Sequence, residues 1–423
     1  MSEPLTVFVN EAPVSVPPQT TVGEAVAARD PELARALRQG RAYVTDGVGR
    51  ELDPAAPVAA GTILRVVRSA RRGHEAGAPP APEALSREWL RRLPKVELHV
   101  HLDGCLRPET MIELARDQGI RLPADDPAGL ARALYVRDAR NLDEYLERYT
   151  VTLSVMQTAA ALERIAYEFV LDSAAENVRY VEVRYCPALH TPALSLSQAV
   201  EAPLAGLKRG ERETGTVARL IICGLRTLAP RVSLDLAHLA ADYAKDGVVA
   251  FDLAGSERGH PAREHAAAFE YARSHGLFCT CHAGEADGPD SIRQALEICG
   301  AQRIGHGTRL LEDPALEAAV RERGIPLEVC LTSNLHTRTV TDPAQHPAKR
   351  YLEEGCRVTL NTDSRLMDGI TLADEYWLAH RALGWGRAEL ERTIVTAAES
   401  AFLDEAERRS LVERITAELQ GIP

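Results

Sequence analysis

Pro94–Lys95–Val96–Glu97–Leu98–His99–Val100–His101–Leu102–Asp103–Gly104 is the stretch around which the chain is organised. Val96, Leu98 and Val100 alternate with Glu97, His99 and His101, the pattern of a buried strand that ends in chemistry. Side chains on a strand repeat every two residues, so His99 and His101 point to one side, where two imidazoles can close on one metal ion. Two satisfied core histidines would give the same short pattern. The rest of the chain decides between these readings, because three further apolar runs also end in a metal-binding residue type. Leu277–Phe278–Cys279–Thr280–Cys281 leads into His282–Ala283–Gly284–Glu285, Arg303–Ile304–Gly305 into His306, and Val358–Thr359–Leu360–Asn361–Thr362 into Asp363.

These stretches belong to a longer series. Apolar runs of β type lie at 95–100, 178–185, 218–225, 247–254, 277–283, 302–306, 326–331 and 356–362. Amphipathic stretches such as Ala159–Ala175, Ala262–His275 and Pro314–Arg323 separate them. Strands alternating with helices predict a parallel sheet, and eight such units predict an α/β protein with a (β/α)8 TIM barrel over residues 89–423. In such a barrel functional residues sit at the C-terminal ends of strands. His99 and His101, His282, His306 and Asp363 fall at the first, fifth, sixth and eighth of those ends. The long insert at about 105–177 is expected to be helical and to cover the barrel mouth.

The chain has 423 residues, with 45% hydrophobic and 26% charged, enough for more than one domain and a large core. Lys and Arg total 49 against 61 Asp and Glu, a net charge of −12, which argues against a nucleic-acid surface or an anionic membrane as partner. The eight cysteines include no CxxC pair, and several sit inside apolar runs, as buried reduced thiols do. No targeting segment or apolar stretch of 18 residues is visible, so a cytoplasmic location is expected.

Residues 1–68 read as a separate small α+β domain. Leu5–Val9 and Pro13–Val16 are strands around an Asn10–Glu11 turn, and a helix opens near Thr21 with Glu24 at the capping-box position. Ala42–Val44 and Thr62–Val67 are further strands. This order resembles the β-grasp domains of sulfur carriers and TGS proteins. The Gly–Gly end of a sulfur carrier is missing: the chain continues through Arg71–Arg72–Gly73–His74. Its role is expected to be interaction or packing, with an unknown partner. Residues 69–88, rich in Ala, Gly and Pro, read as a linker.

Three imidazoles and a carboxylate suit zinc with one position left open for water. Bound zinc brings the pKa of that water to about 7. No strand-end lysine is present to bridge a second metal, so one zinc per chain is expected. The HxE with PCxxC pattern of the cytidine-deaminase site is absent.

Taken together and in order, the Pro94–Gly104 stretch, His282–Ala283–Gly284–Glu285, Arg303–Ile304–Gly305–His306–Gly307 and Leu360–Asn361–Thr362–Asp363 resemble the adenosine deaminase family over roughly residues 90–423. The resemblance implies a metal-dependent hydrolase. It implies zinc on His99, His101, His282 and Asp363, with Asp363 also accepting a hydrogen bond from the attacking water. Glu285 would protonate purine N1 as water adds to C6, because that addition pushes electron density onto N1. His306 would orient the nucleophile and stabilise developing charge. Asp103 would bind a ribose hydroxyl and the Gly255 N–H would meet purine N3.

At one position the chain departs from the family, which has a second Asp after the metal-binding one; here Ser364 follows Asp363. A serine hydroxyl donates to purine N7 without a pKa shift but is shorter. The implied reaction is hydrolytic deamination of adenosine, and of 2′-deoxyadenosine, to inosine and ammonia. Ser364 motivates a modified 6-aminopurine nucleoside, such as aminodeoxyfutalosine, as the alternative substrate. The alternative of another class is a non-catalytic metal-binding scaffold acting through the β-grasp domain.

Overall fold

The computed structural model describes residues 4–10, 12–38, 42–46, 51–68, 85–136 and 139–422. The chain divides into two compact units, Met1–Ala84 and Leu85–Pro423.

In the first unit, strands β1 (Leu5–Val9), β2 (Ala12–Val16), β3 (Ala42–Thr45), β4 (Glu51–Leu52) and β5 (Ile63–Arg68) form one sheet in the order β2-β1-β5-β3-β4. β1 runs antiparallel to β2 and parallel to β5. Strand alternation buries Val7, Val9, Val14, Val16, Val44 and Leu64. The helix Val22–Arg29 closes over them, and Thr21 and Glu24 form the expected capping box. A second helix, Pro31–Arg38, follows at once, which the sequence reading did not anticipate. The expected linker lies mostly outside the described residues. Its last residues do not: Ser86 caps the helix Arg87–Arg92 by accepting from Trp89 N–H, so Arg87 and Glu88 are helical.

The second unit holds eight strands: β6 (Lys95–His101), β7 (Val178–Tyr185), β8 (Val217–Leu225), β9 (Val248–Ala254), β10 (Phe278–Ala283), β11 (Arg303–His306), β12 (Leu327–Val329) and β13 (Val358–Leu360). They form one sheet in chain order, and each paired neighbour is parallel. The two ends of the sheet meet. Val100 bridges Asp363, the His101 N–H donates to the Asp363 carbonyl at 2.7 Å, and the Asp363 N–H donates to the His99 carbonyl at 3.1 Å. Beside this bridge the Asn361 Oδ1 accepts from the N–H groups of Leu98 (2.8 Å) and His99 (3.1 Å). The seam that closes the barrel is therefore made by the residues the sequence assigns to metal. At the other end of β6 the buried Lys95 ammonium donates to the carbonyls of Arg91, Leu93 and Glu176 at 2.7–3.1 Å.

The expected runs match the observed strands closely. The last two shorten to three residues each, because Leu331 already starts the helix Leu331–His336 and Asn361 turns its side chain into the seam. The insert is helical, as expected, with helices Pro108–Gln118, Pro127–Leu134, Leu142–Leu146, Tyr149–Val155 and Ala159–Ala175. Among the described residues no helix is long and apolar enough to cross a membrane.

Candidate active site

The strand ends bring the expected residues together. His99 Nε2 and His101 Nε2 each lie 3.4 Å from Asp363 Oδ1, and His101 Nε2 lies 3.1 Å from His282 Nε2. His99, His282, His306 and Asp363 are all buried and offer donor atoms within 4.8 Å of one another. Nε2 of buried His99 has no hydrogen-bond partner among the described residues, and it points into this group. A buried polar atom without a partner is costly, and a divalent cation among imidazoles and a carboxylate removes that cost. The donor set fits a metal ion.

Local backbone accounts for the convergence. His306 and Asp363 both adopt left-handed conformations, φ +62° and +61°, which L-residues seldom take. Such strain clusters where surrounding structure over-determines a functional geometry. Gly305 pairs with His282 across β10 and β11, and a Cβ there would stand 3.0 Å from both the His282 Cα and the His99 ring. Only glycine lets these two ligands approach one another.

Behind the imidazoles lies a buried ionic ladder. His99 Nδ1 lies 2.8 Å from Glu328 Oε2, and His282 Nδ1 lies 3.1 Å from Asp252 Oδ2. Burial works against both carboxylates. The His282 imidazole and the Arg184 guanidinium hold Asp252, and the charges of Arg184 and Arg303 hold Glu328, well below the usual carboxylate range. Arg184 donates to both acids at 3.0 Å, and Arg303 donates to Glu328 and Glu182 at 2.6 and 2.5 Å. A carboxylate only accepts, so each Nδ1 is held as N–H and each Nε2 lone pair faces the cluster. His306 differs: its Nδ1 faces the amide nitrogen of Asn334 at 3.1 Å. Burial opposes the charge on Asp363 as well, but the adjacent imidazoles, His99 foremost, hold its carboxyl well below the usual range.

Glu285 has the opposite environment. Burial first, then the negative charges of Asp363 and Glu257, push its carboxyl well above the usual range. Its Oε2 lies 3.5 Å from His306 Nε2, and its Oε1 has no partner among the described residues. The loop that carries it is held by the buried carboxylate of Glu257, which accepts from the N–H groups of Gly284, Glu285, Ala286 and Asp287 at 2.6–3.0 Å. Asp103 is also buried, pushed up to about 7 by that burial, and its Oδ1 lacks a partner among the described residues.

These groups face a cavity of about 370 Å³, whose wall includes Asp103, Gly255, Glu285, His306 and Asp363. The insert supplies Leu142, Tyr145, Leu146, Tyr149 and Leu153 to the same wall, as expected of a segment covering the mouth. Ser364 is fully buried, does not line the cavity, and hydrogen-bonds the Tyr149 hydroxyl. A Cβ at Gly104 would stand 2.6 Å from the Ser364 Oγ, so the chain packs tightly there.

Sequence reading missed Asp252, Glu328, Arg184, Glu257 and Asn334. The first two left a signal, as acids interrupting apolar strands in Phe251–Asp252–Leu253 and Leu327–Glu328–Val329. Glu257 and Asn334 lie in a loop and a short helix with no periodicity to betray them.

A family model described as adenosine deaminase matches residues 94–418. An adenosine deaminase of Mycolicibacterium vanbaalenii is 41% identical over 345 residues, covering 77% of this chain and 95% of that protein. A probable adenosine deaminase of Dictyostelium discoideum is 39% identical over 317 residues. That match takes in 74% of this chain but 41% of the Dictyostelium protein, so the chain spans less than half of that relative's length. Among solved structures, an amidohydrolase from Burkholderia ambifaria with bound Zn is similar at a TM-score of 0.73 and 25% identity, covering 84% of this chain and 96% of that one. The family match spans the whole barrel and every strand end described above, and this chain belongs to the adenosine deaminase family.

Proposed function

We propose that this chain hydrolytically deaminates a 6-aminopurine nucleoside, with adenosine and 2′-deoxyadenosine as first substrates, using one zinc ion held by His99, His101, His282 and Asp363. The observation that carries the reading is the pairing of Glu285, a buried carboxyl with an unpartnered oxygen, with a partnerless imidazole nitrogen in a His/Asp cluster at one cavity wall. The direction of each histidine supports the ligand set. His99 and His282 give their Nδ1–H to carboxylates and keep Nε2 free for metal, whereas His306 faces an amide nitrogen. A zinc ion held there would lower the pKa of water to about 7 and so make hydroxide available at neutral pH.

The chain's own groups do the rest. Addition of water to C6 drives electron density onto N1, and Glu285, whose carboxyl burial pushes well above the usual range, donates a proton there. His306 orients the attacking oxygen and stabilises its developing charge, and Asp363 accepts a hydrogen bond from the attacking water. Asp103 receives a ribose hydroxyl through its unpartnered Oδ1, and the Gly255 N–H meets N3. Ser364 hydrogen-bonds the hydroxyl of Tyr149, and Tyr149 rather than Ser364 lines the cavity. Asp103, Asp143 and Glu147 line the cavity and no Lys or Arg does so among the described residues, which favours an uncharged nucleoside over a phosphorylated one.

Purified, metal-quantified protein is incubated with adenosine, and the ultraviolet change to inosine is followed with and without chelator. Turnover at about one zinc per chain, lost on chelation and restored by zinc, is the expected result. No turnover at full zinc occupancy would remove adenosine and move the search to modified 6-aminopurines.

Residues 1–68 we read as a β-grasp domain, supported by the strand order and the parallel β1–β5 pair. The eight buried, unpaired cysteines support a reducing, cytoplasmic setting.

A further inference from the structure

A chain of hydrogen bonds runs from the backbone to His306, and its direction is set at the far end. The N–H of Ala348 lies 3.1 Å from His346 Nδ1. A backbone N–H only donates, so His346 Nδ1 accepts. Burial pushes His346 down to about 3, so the ring is neutral and its one proton is on Nε2. That Nε2–H lies 3.1 Å from Asn334 Oδ1, which also accepts from the Thr308 hydroxyl at 3.2 Å. With both donors on its oxygen, the Asn334 amide turns its NH₂ toward His306, 3.1 Å from Nδ1. His306 therefore accepts at Nδ1. An imidazole whose Nδ1 lone pair accepts carries its proton on Nε2, here the nitrogen 3.5 Å from Glu285 Oε2. His306, Asn334 and His346 are all buried, and no step of the relay is open to bulk water.

We propose that Asn334 and His346 are positioning residues that fix His306 as its Nε2–H tautomer, so that it donates a hydrogen bond into the cavity and does not ligate the metal. A ring whose Nε2 carries a proton has no lone pair to offer zinc there. The relay thereby separates the one donor histidine from the three ligand histidines within a single cluster. The proposal rests on the reading of His306 as the group facing the attacking oxygen.

The test is ¹⁵N NMR of histidine-labelled full-length protein, in its zinc-loaded and zinc-free forms, with the His306 signals assigned through H306Q. The expected wild-type pattern is a protonated, pyrrole-like Nε2 and an unprotonated, pyridine-like Nδ1 in both forms. N334D places an acceptor where the amide donated, so it is expected to move the proton to Nδ1. Its kcat should fall about 100-fold while KM changes less than about threefold and zinc content is retained. H346Q keeps a donor for the Asn334 oxygen and should preserve the nitrogen pattern, recovering most of the turnover lost in H346L.

A protonated Nδ1 in wild-type protein would overturn the proposal, as would an Nε2 shift typical of metal ligation on zinc loading, or an N334D spectrum identical to wild type. If N334D does not fold, the wild-type spectrum and the H346L–H346Q pair decide. Full turnover by H306Q with the expected nitrogen pattern would instead overturn the catalytic reading of His306 and leave the tautomer assignment standing.

Discussion

Glu285 and Asp363 are both buried carboxyls in one cavity, and their surroundings drive them apart. Asp363 is surrounded by imidazoles, which hold its carboxyl well below the usual range; Glu285 meets burial and two negative neighbours, which push its carboxyl well above it. The sign of the pH dependence follows. Glu285 must carry a proton to protonate N1, so kcat/KM should hold through neutral pH and fall as pH rises through its raised pKa. A pH–rate profile checks this, with E285Q as the control. That variant should keep its zinc and lose about 10²–10⁴-fold in kcat, and its residual rate should lack the Glu285 limb. The same shift lowers stability at higher pH. The unfolded glutamate releases its proton near its ordinary value while the folded one retains it, so stability drops as pH rises across that interval. Ser364 makes a different prediction. S364A should lose about 1 kcal/mol with the Tyr149 hydrogen bond and keep kcat, which denaturant melts and steady-state kinetics would read. A large fall in kcat would return Ser364 to the substrate.

At the scale of elements, β6 was legible because three facts agree along it: strict alternation, apolar content and two histidines in phase. What makes it the site is its partner, since the chain's last strand returns beside its first. Asn361, read from sequence only as part of a run, satisfies two β6 N–H groups at that seam. N361A should leave both donors unpaired and cost about 2–4 kcal/mol, with a weaker hold on zinc that chelator competition would detect. The ends of the last two strands were misjudged for the same reason. Leu331 and Asn361 look like strand residues locally, but tertiary partners take their backbone and side chains elsewhere.

For the whole molecule, the residues assigned to chemistry all lie in Leu85–Pro423, and none lies in Met1–Ala84. A chain of residues 85–423 should therefore keep kcat/KM within about threefold of the full chain, as expected for a domain with its own core. A loss beyond that would give residues 1–84 a part in turnover. The sequence by itself determined the α/β class, the eight strand positions and the residues at their ends. Periodicity and strand-end chemistry are local properties, written at spacings of two and 3.6 residues. Only the tertiary structure decided which nitrogen of each histidine faces the cavity, that the Glu285 carboxyl is pushed well above its usual range, and that Ser364 bonds Tyr149. Each of these depends on groups distant in the chain, Glu328, Asp252, Asn334 and Glu257 among them, brought within about 3 Å by barrel closure. A proton's position and a buried acid's pKa are set by such neighbours, and no spacing along the chain encodes them.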